Sequence, residues 1–195
     1  MAISLTKGQK ISLDKESGQA LSKVIMGLGW DAAKKGGMLG GLFGGGGGPI
    51  DLDASCVLFG EANKVIDTVW FKQLKSRDGS IRHTGDNLTG DGDGDDEQII
   101  VDLSSVPANV TSLVFTVSSF TGQSFDAVDN AYCRIVNAAN QQEIARYTLS
   151  NQGAHTAQIM AKVYRHNNEW KMHAIGESVN GRTIEQLVPL ITPFL

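Results

Sequence analysis

The sequence contains little of what an enzyme site or a disulfide scaffold is built from. Of 195 residues, two are cysteine and four are histidine. Cys56 and Cys133 both lie in apolar, strand-like runs and read as buried thiols, with a single disulfide between them as the alternative. His83, His155, His166 and His173 are scattered, and no pair has the spacing of zinc ligands on one helix face. No Gly-x-Ser-x-Gly, Cys-x-x-Cys or Ser/His/Asp arrangement is present, so catalysis has no candidate nucleophile or base. No apolar run approaches the ~20 residues that span a bilayer, and Met1 to Lys7 lack the apolar centre of a signal peptide. Together these point to a reducing cytoplasm. Positive charge is not in excess either: 17 Lys and Arg stand against 21 Asp and Glu, a formal net charge of −4. Nucleic acid is therefore not an expected partner.

What the sequence does have is a crowd of acids in one place. Thr84 to Glu97 carries six carboxylates (Asp86, Asp91, Asp93, Asp95, Asp96 and Glu97) with no Lys or Arg among them. Glycines and Asn87 separate them. Two unit charges ~4 Å apart repel by ~1 kcal/mol in water and ~4 kcal/mol at a surface-like dielectric, so gathering them calls for a cation. Hard oxygen donors in a flexible loop suit calcium, which takes ~6–8 oxygens; magnesium, with its near-octahedral demand, suits them less. The run is not an EF-hand loop. With Asp91 at position one, position six is Asp96 instead of Gly, and position twelve is Asp102 instead of Glu. It is not a Gly-Gly-x-Gly-x-Asp repeat. A solvated acidic loop that binds nothing is the alternative, but glycine at every other residue between strand-like segments argues against it.

The rest of the chain reads as short strands separated by turns. Gln9–Leu13, Leu21–Trp30, Ile50–Phe59, Val65–Gln73, Gln98–Val106, Ser112–Val117, Ala131–Val136 and Ile144–Leu149 are strand-like. Ala157–Arg165 and Trp170–Gly176 flank a hairpin turn. Gly27 and Gly29 inside their strand suggest a close backbone approach. In Ile50–Phe59, Leu52, Ala54, Cys56 and Leu58 share one face. Asp51 and Asp53 lie on the other, ~7 Å apart, which suits a cation site at the strand's entrance. Phe125–Asn130 looks like a helical turn, and Thr183–Ile191 like a closing amphipathic helix stopped by Pro193. The expected architecture is all-β, a two-layer β-sandwich with short peripheral helices. It forms one domain over residues 1–195 with a flexible, glycine-rich insertion at about 34–49. That insertion has no phosphate-loop signature, though Met38, Leu39, Leu42 and Phe43 would make an apolar docking tip.

Longer motifs then fall into place. Gly27-Leu28-Gly29-Trp30-Asp31, Asp51-Leu52-Asp53-Ala54-Ser55, Leu74 to Ser80, His83 to Asn87, Gly90 to Glu97, Val163 to Asn167 and Glu169-Trp170-Lys171 resemble the TerD family of tellurium-resistance and stress-response proteins. The resemblance spans nearly the whole chain and is greatest to the TerZ branch. It implies a calcium-binding β-sandwich of the bacterial cytoplasm with no established catalysis. Carried over position by position, it implies metal ligands among Asp31, Asp51, Asp53, Asp86, Asn87, Asp91, Asp93, Asp95, Asp96 and Glu97, for one or two Ca2+ ions. The implied role is a sensor or scaffold among other stress-response proteins. The alternatives are a calcium-dependent membrane-surface module, with Leu42 and Phe43 inserting, and a metal-dependent phosphoesterase.

Overall fold

The computed structural model describes residues 2–32, 51–85, 94–149 and 153–195. The glycine-rich insertion, with Leu42 and Phe43, lies outside them. Strand-forming residues alternate along the chain, and the apolar half of each strand faces inward, so two sheets close on one core. Sheet I holds β1 (Ile3–Leu5), β3 (Lys23–Ala32), β6 (Ile81–His83), β7 (Glu97–Asp102), β9 (Val128–Asn137) and β10 (Glu143–Thr148). Its strand order is β1-β10-β9-β3-β7-β6. Sheet II holds β2 (Lys10–Ser12), β4 (Leu52–Gly60), β5 (Val65–Val69), β8 (Val110–Ser119), β11 (Ala157–His166) and β12 (Glu169–Val179). Its order is β2-β12-β11-β8-β4-β5. Among the described residues every strand pairing is antiparallel except β1 with β10.

The alternation read from the sequence is the one observed. Leu52, Ala54, Cys56 and Leu58 face the shared core, where they meet Val24, Met26, Leu28 and Trp30 of β3. The opposite face of β4 is buried as well. Val57 and Phe59 pack with Val114, Ile159 and Ile175 beneath α2 (Ile184–Ile191), which contributes Ile184, Leu187 and Ile191. A strand covered on both sides reads as a continuous buried run, and all nine β4 residues are buried. The hairpin between β11 and β12 turns at Asn167 and Asn168, with φ of 51° and 61°; asparagine tolerates this left-handed pair, which matches the strand twist.

Several boundaries differ from expectation. The strand expected over Val65–Gln73 stops at Val69, because Trp70 and Gln73 bond back to each other (Trp70 N–H to Gln73 O, 3.2 Å; Gln73 N–H to Trp70 O, 2.9 Å) and close a turn. The helical turn expected over Phe125–Asn130 is a 3₁₀ turn at Phe125–Ala127, and β9 has begun by Val128. The closing helix ends at Ile191, and Pro193 sits inside a following 3₁₀ turn, Thr192–Phe194. Three elements had no clear signal: β1, β6 and α1 (Leu13–Ser17), each five residues or fewer.

The two cysteines are free and fully buried, Cys56 in sheet II and Cys133 in sheet I. Burial pushes the Cys133 thiol up to about 12 and the Cys56 thiol further still. Thiolate is the reactive form, so neither cysteine should react with a thiol reagent at neutral pH in the native protein. Both should react once denaturant unfolds it. Rapid native labelling of either would contradict this packing.

Candidate metal centre

Residues 95–97 enter β7 as a strand does, with successive side chains going to opposite faces. Glu97 points inward, in line with Ile99 and Val101, and is 1% exposed. A carboxylate in that position needs partners. Its Oε2 accepts the Ala54 backbone N–H of the facing sheet at 2.7 Å. His83 Nε2 lies 3.3 Å from the same oxygen. His83 Nδ1 accepts the Gly85 N–H at 3.1 Å, which turns the Nε2 side of the ring towards Glu97. Glu97 thus ties β4 of one sheet to β6 and β7 of the other.

Asp96 sits at the same end of sheet I. Its N–H donates to Leu28 O at 2.7 Å, and its Oδ2 accepts the Trp30 N–H at 2.8 Å. Burial raises its carboxyl above the ordinary range. The Trp30 N–H opposes this, while the nearby charges of Asp31, Asp95 and Glu97 add to it. Asp31 closes β3. It is exposed, accepts Asn130 Nδ2 at 2.7 Å, and stands opposite Asp129 in the strand register. Acids directly opposite destabilise a strand pair, so this end of the sheet concentrates negative charge.

Asp51 and Asp53 come from sheet II. Asp51 immediately precedes β4, and Asp53 lies on the strand's outer side, opposite Ser118 and 5% exposed. The face of β4 that carries Asp53 is therefore covered. The structure brings Asp31, Asp95, Asp96 and Glu97 into one electrostatic neighbourhood. Among the described residues, no three His, Cys, Asp or Glu side chains form a metal-ligand set. Asp86, Asn87, Asp91 and Asp93 lie outside the described residues.

Asp95 has a different employment. Arg134 grips both of its oxygens, Nε to Oδ1 at 2.7 Å and Nη2 to Oδ2 at 3.0 Å. Gln98 Nε2 donates to Oδ2 at 3.0 Å, and Tyr132 OH donates to Gly94 O at 2.7 Å and lies 3.2 Å from Oδ1. The carboxylate is 1% exposed. The network continues outward: Glu143 accepts from Arg134 and Arg146, and the Arg146 guanidinium stacks 4.1 Å from the Tyr132 ring centroid. Gly27 and Gly29 make this possible. A Cβ on Gly27 would overlap the Asp95 carboxylate, and one on Gly29 would overlap the Tyr132 ring. The close approach that these glycines announce is thus made by side chains, not by backbone. Sequence reasoning missed Arg134, Tyr132, Glu143, Arg146 and His83. The Gly-x-Gly within a strand was the one signal that something bulky lies there.

A model of the TerD domain matches residues 1–190. The chain belongs to the TerD family. It is 54% identical to tellurium resistance protein TerZ of Serratia marcescens, with 95% of this chain and 94% of that one covered. It is 47% identical to stress response protein SCP2 of Bacillus subtilis (strain 168), covering 96% and 98%. Identity to tellurium resistance protein TerD of Serratia marcescens is 40%, covering 93% of each. These TerD-family relatives are named as resistance or stress proteins, not as enzymes. A crystal structure of a telluride resistance protein (TerD) homologue from Streptomyces coelicolor A3(2) superposes with a TM-score of 0.69. It covers 87% of this chain and 96% of that one at 18% identity, which shows the shared fold.

Two substitutions separate the roles of neighbouring acids. Arg134→Gln leaves the buried Asp95 carboxylate without its charged partner and should cost about 3 kcal/mol in denaturant unfolding; a loss under about 0.5 kcal/mol would mean the pair is not held. Asp96→Asn keeps an acceptor for the Trp30 N–H and removes one crowded charge. A carboxyl raised in the folded state binds its proton more tightly there, so stability falls as pH rises from the ordinary carboxylate range through the raised value. In EDTA at neutral pH, Asp96→Asn should therefore melt at or above the parent temperature. Melting well below it would show that charge crowding is not the governing effect.

Proposed function

We propose that this TerD-family chain is a calcium-binding stress-response protein that acts as a sensor or scaffold in the cytoplasm, not as a catalyst. The observation that supports this is the state of Asp96. Burial and the charges of Asp31, Asp95 and Glu97 hold its proton on more tightly than in an ordinary carboxylate. A dication offsets that repulsion directly. The donors are hard oxygens, and the adjoining Asp86, Asn87, Asp91 and Asp93 bring more of the same kind. Such a set fits calcium, whose coordination is loose and high-numbered, better than magnesium. Asp31, Asp51, Asp53 and Asp96 would join the loop acids around one or two ions. Asp95, held by Arg134, would anchor the loop.

Calcium supplies positive charge where the chain has gathered negative charge. The chain's own residues do the rest. Glu97 fixes the two sheets together at this end, and the Asp95–Arg134 pair fixes where the loop re-enters sheet I. Loading would then change the charge and order of a surface edge while leaving the sandwich unaltered, which is what a sensor presents to a partner. The expected partners are other stress-response proteins of the same system.

Calcium at ~100 times its dissociation constant should stabilise the fold by about 2.7 kcal/mol relative to EDTA. Calorimetric titration should give one or two sites. Asp93→Asn should weaken binding while the protein still folds in excess calcium. Identical melting in calcium and EDTA, with no heat of binding, would remove this function.

A further inference from the structure

The outer face of sheet II carries a second charged feature, of opposite sign. Along β12, Trp170, Met172 and Ala174 belong to the core, so Lys171 and His173 point outward. Ile11 on β2 and Ala161 and Val163 on β11 are core residues too, which turns Lys10 and Lys162 outward. The register sets His173 directly opposite Lys10 on one side and Lys162 on the other. Three basic groups thus form one row across three adjacent strands. Lys171 stands in the next row, opposite Ser12 and Tyr164.

Like charges directly opposite each other destabilise a sheet. Among the described residues, none of Lys10, Lys162, Lys171 and His173 forms an ion pair. Glu169 accepts the Ser12 hydroxyl at 3.0 Å and lies 4.0 Å from Lys15, while Glu177 pairs with Lys7 at 2.7 Å. Lys162 Nζ donates to the Phe194 carbonyl and sits 5.0 Å from the Tyr164 ring centroid. That leaves it two further protons to donate. His173 Nδ1 is buried and has no hydrogen-bond partner among the described residues, and such an atom costs free energy. Burial, then Lys10, holds the Lys162 ammonium below its usual range. His173 is lowered by burial, then by Lys10 and Lys162.

We propose that Lys10, His173 and Lys162 form a binding site for a phosphate dianion, the head group of a phosphomonoester. Strands stand ~4.8 Å apart, a span that long lysine side chains from the two flanking strands can bridge to meet one tetrahedral oxyanion over the central imidazole. The two ammonium groups match a dianion in charge, and the imidazole between them supplies a further N–H donor. The bound anion stabilises the protonated imidazole and relieves the repulsion along the row. The site lies on an exterior face of sheet II and does not depend on the acidic end of the molecule.

The same chemistry belongs to a soluble phosphomonoester and to a phosphorylated lipid head group. The test uses the full chain with inorganic phosphate replacing chloride at constant ionic strength and trace calcium. Phosphate should raise the melting temperature by about 2–4 °C and move the NMR titration midpoint of the His173 ring upward. Lys10→Gln, on an exposed three-residue edge strand, should fold normally and lose most of both shifts; Lys162→Gln should lose them too. No shift in either readout, or shifts that persist in Lys10→Gln, would overturn the proposal. Vesicles of phosphatidic acid in phosphatidylcholine, against phosphatidylcholine alone, separate the sources. Pelleting that Lys10→Gln abolishes assigns a lipid phosphate, and a phosphate response without pelleting assigns a soluble one.

Discussion

Mutual repulsion among carboxylates at one end of the sandwich is the constraint to which the local structure answers. Asp31, Asp95 and Glu97 all lie close enough to Asp96 for their charges to add to what burial does to its carboxyl. The chain handles each differently. Glu97 is taken inside and given a backbone N–H and the Nε2 side of a histidine. Asp95 is taken outward and given an arginine. Asp96 accepts the Trp30 N–H and lies among the charges of Asp31, Asp95 and Glu97. Asp31 stays exposed at the strand end. At this end, acids of both sheets stand next to a loop with more of the same, a local surplus of carboxylates. That surplus is what a divalent cation would offset.

The sandwich itself was legible because its signals are local and redundant. Leu52, Ala54, Cys56 and Leu58 announce a face by alternation alone, and Asn167-Asn168 announces a hairpin by its tolerance of positive φ. The elements that escaped detection are those held by tertiary contact. β1 is three residues with a parallel partner over 140 positions away, and no short-range pattern encodes that. The acidic loop was legible as chemistry but not as geometry. Composition shows six carboxylates and cannot show that Asp95 is bound by Arg134, 39 residues further along. The inward direction of Glu97 was readable in principle, because it is in phase with Ile99 and Val101. A charged residue at the first core position of a strand was simply counted with its acidic neighbours.

The two faces of the molecule are also polarised. The acidic end draws on both sheets, while the basic row of Lys10, His173 and Lys162 occupies the exterior of sheet II beside the segment that follows α2. A net charge of −4 hides this arrangement. A scaffold with two oppositely charged surfaces can hold a cation at one and an anionic group at the other without the two competing. β4, covered on both sides, has its entrance at the acidic end and its outer side under the apolar contacts of α2.

The most direct test of the central claim is anomalous diffraction from a crystal grown in millimolar calcium. The account predicts one or two calcium peaks at the end of the sandwich, with Asp96 within bonding distance, residues 86–93 wrapped around the ions, and Asp95 still paired to Arg134. Absence of any peak there, with Asp96 and the loop acids turned apart into solvent, would contradict it.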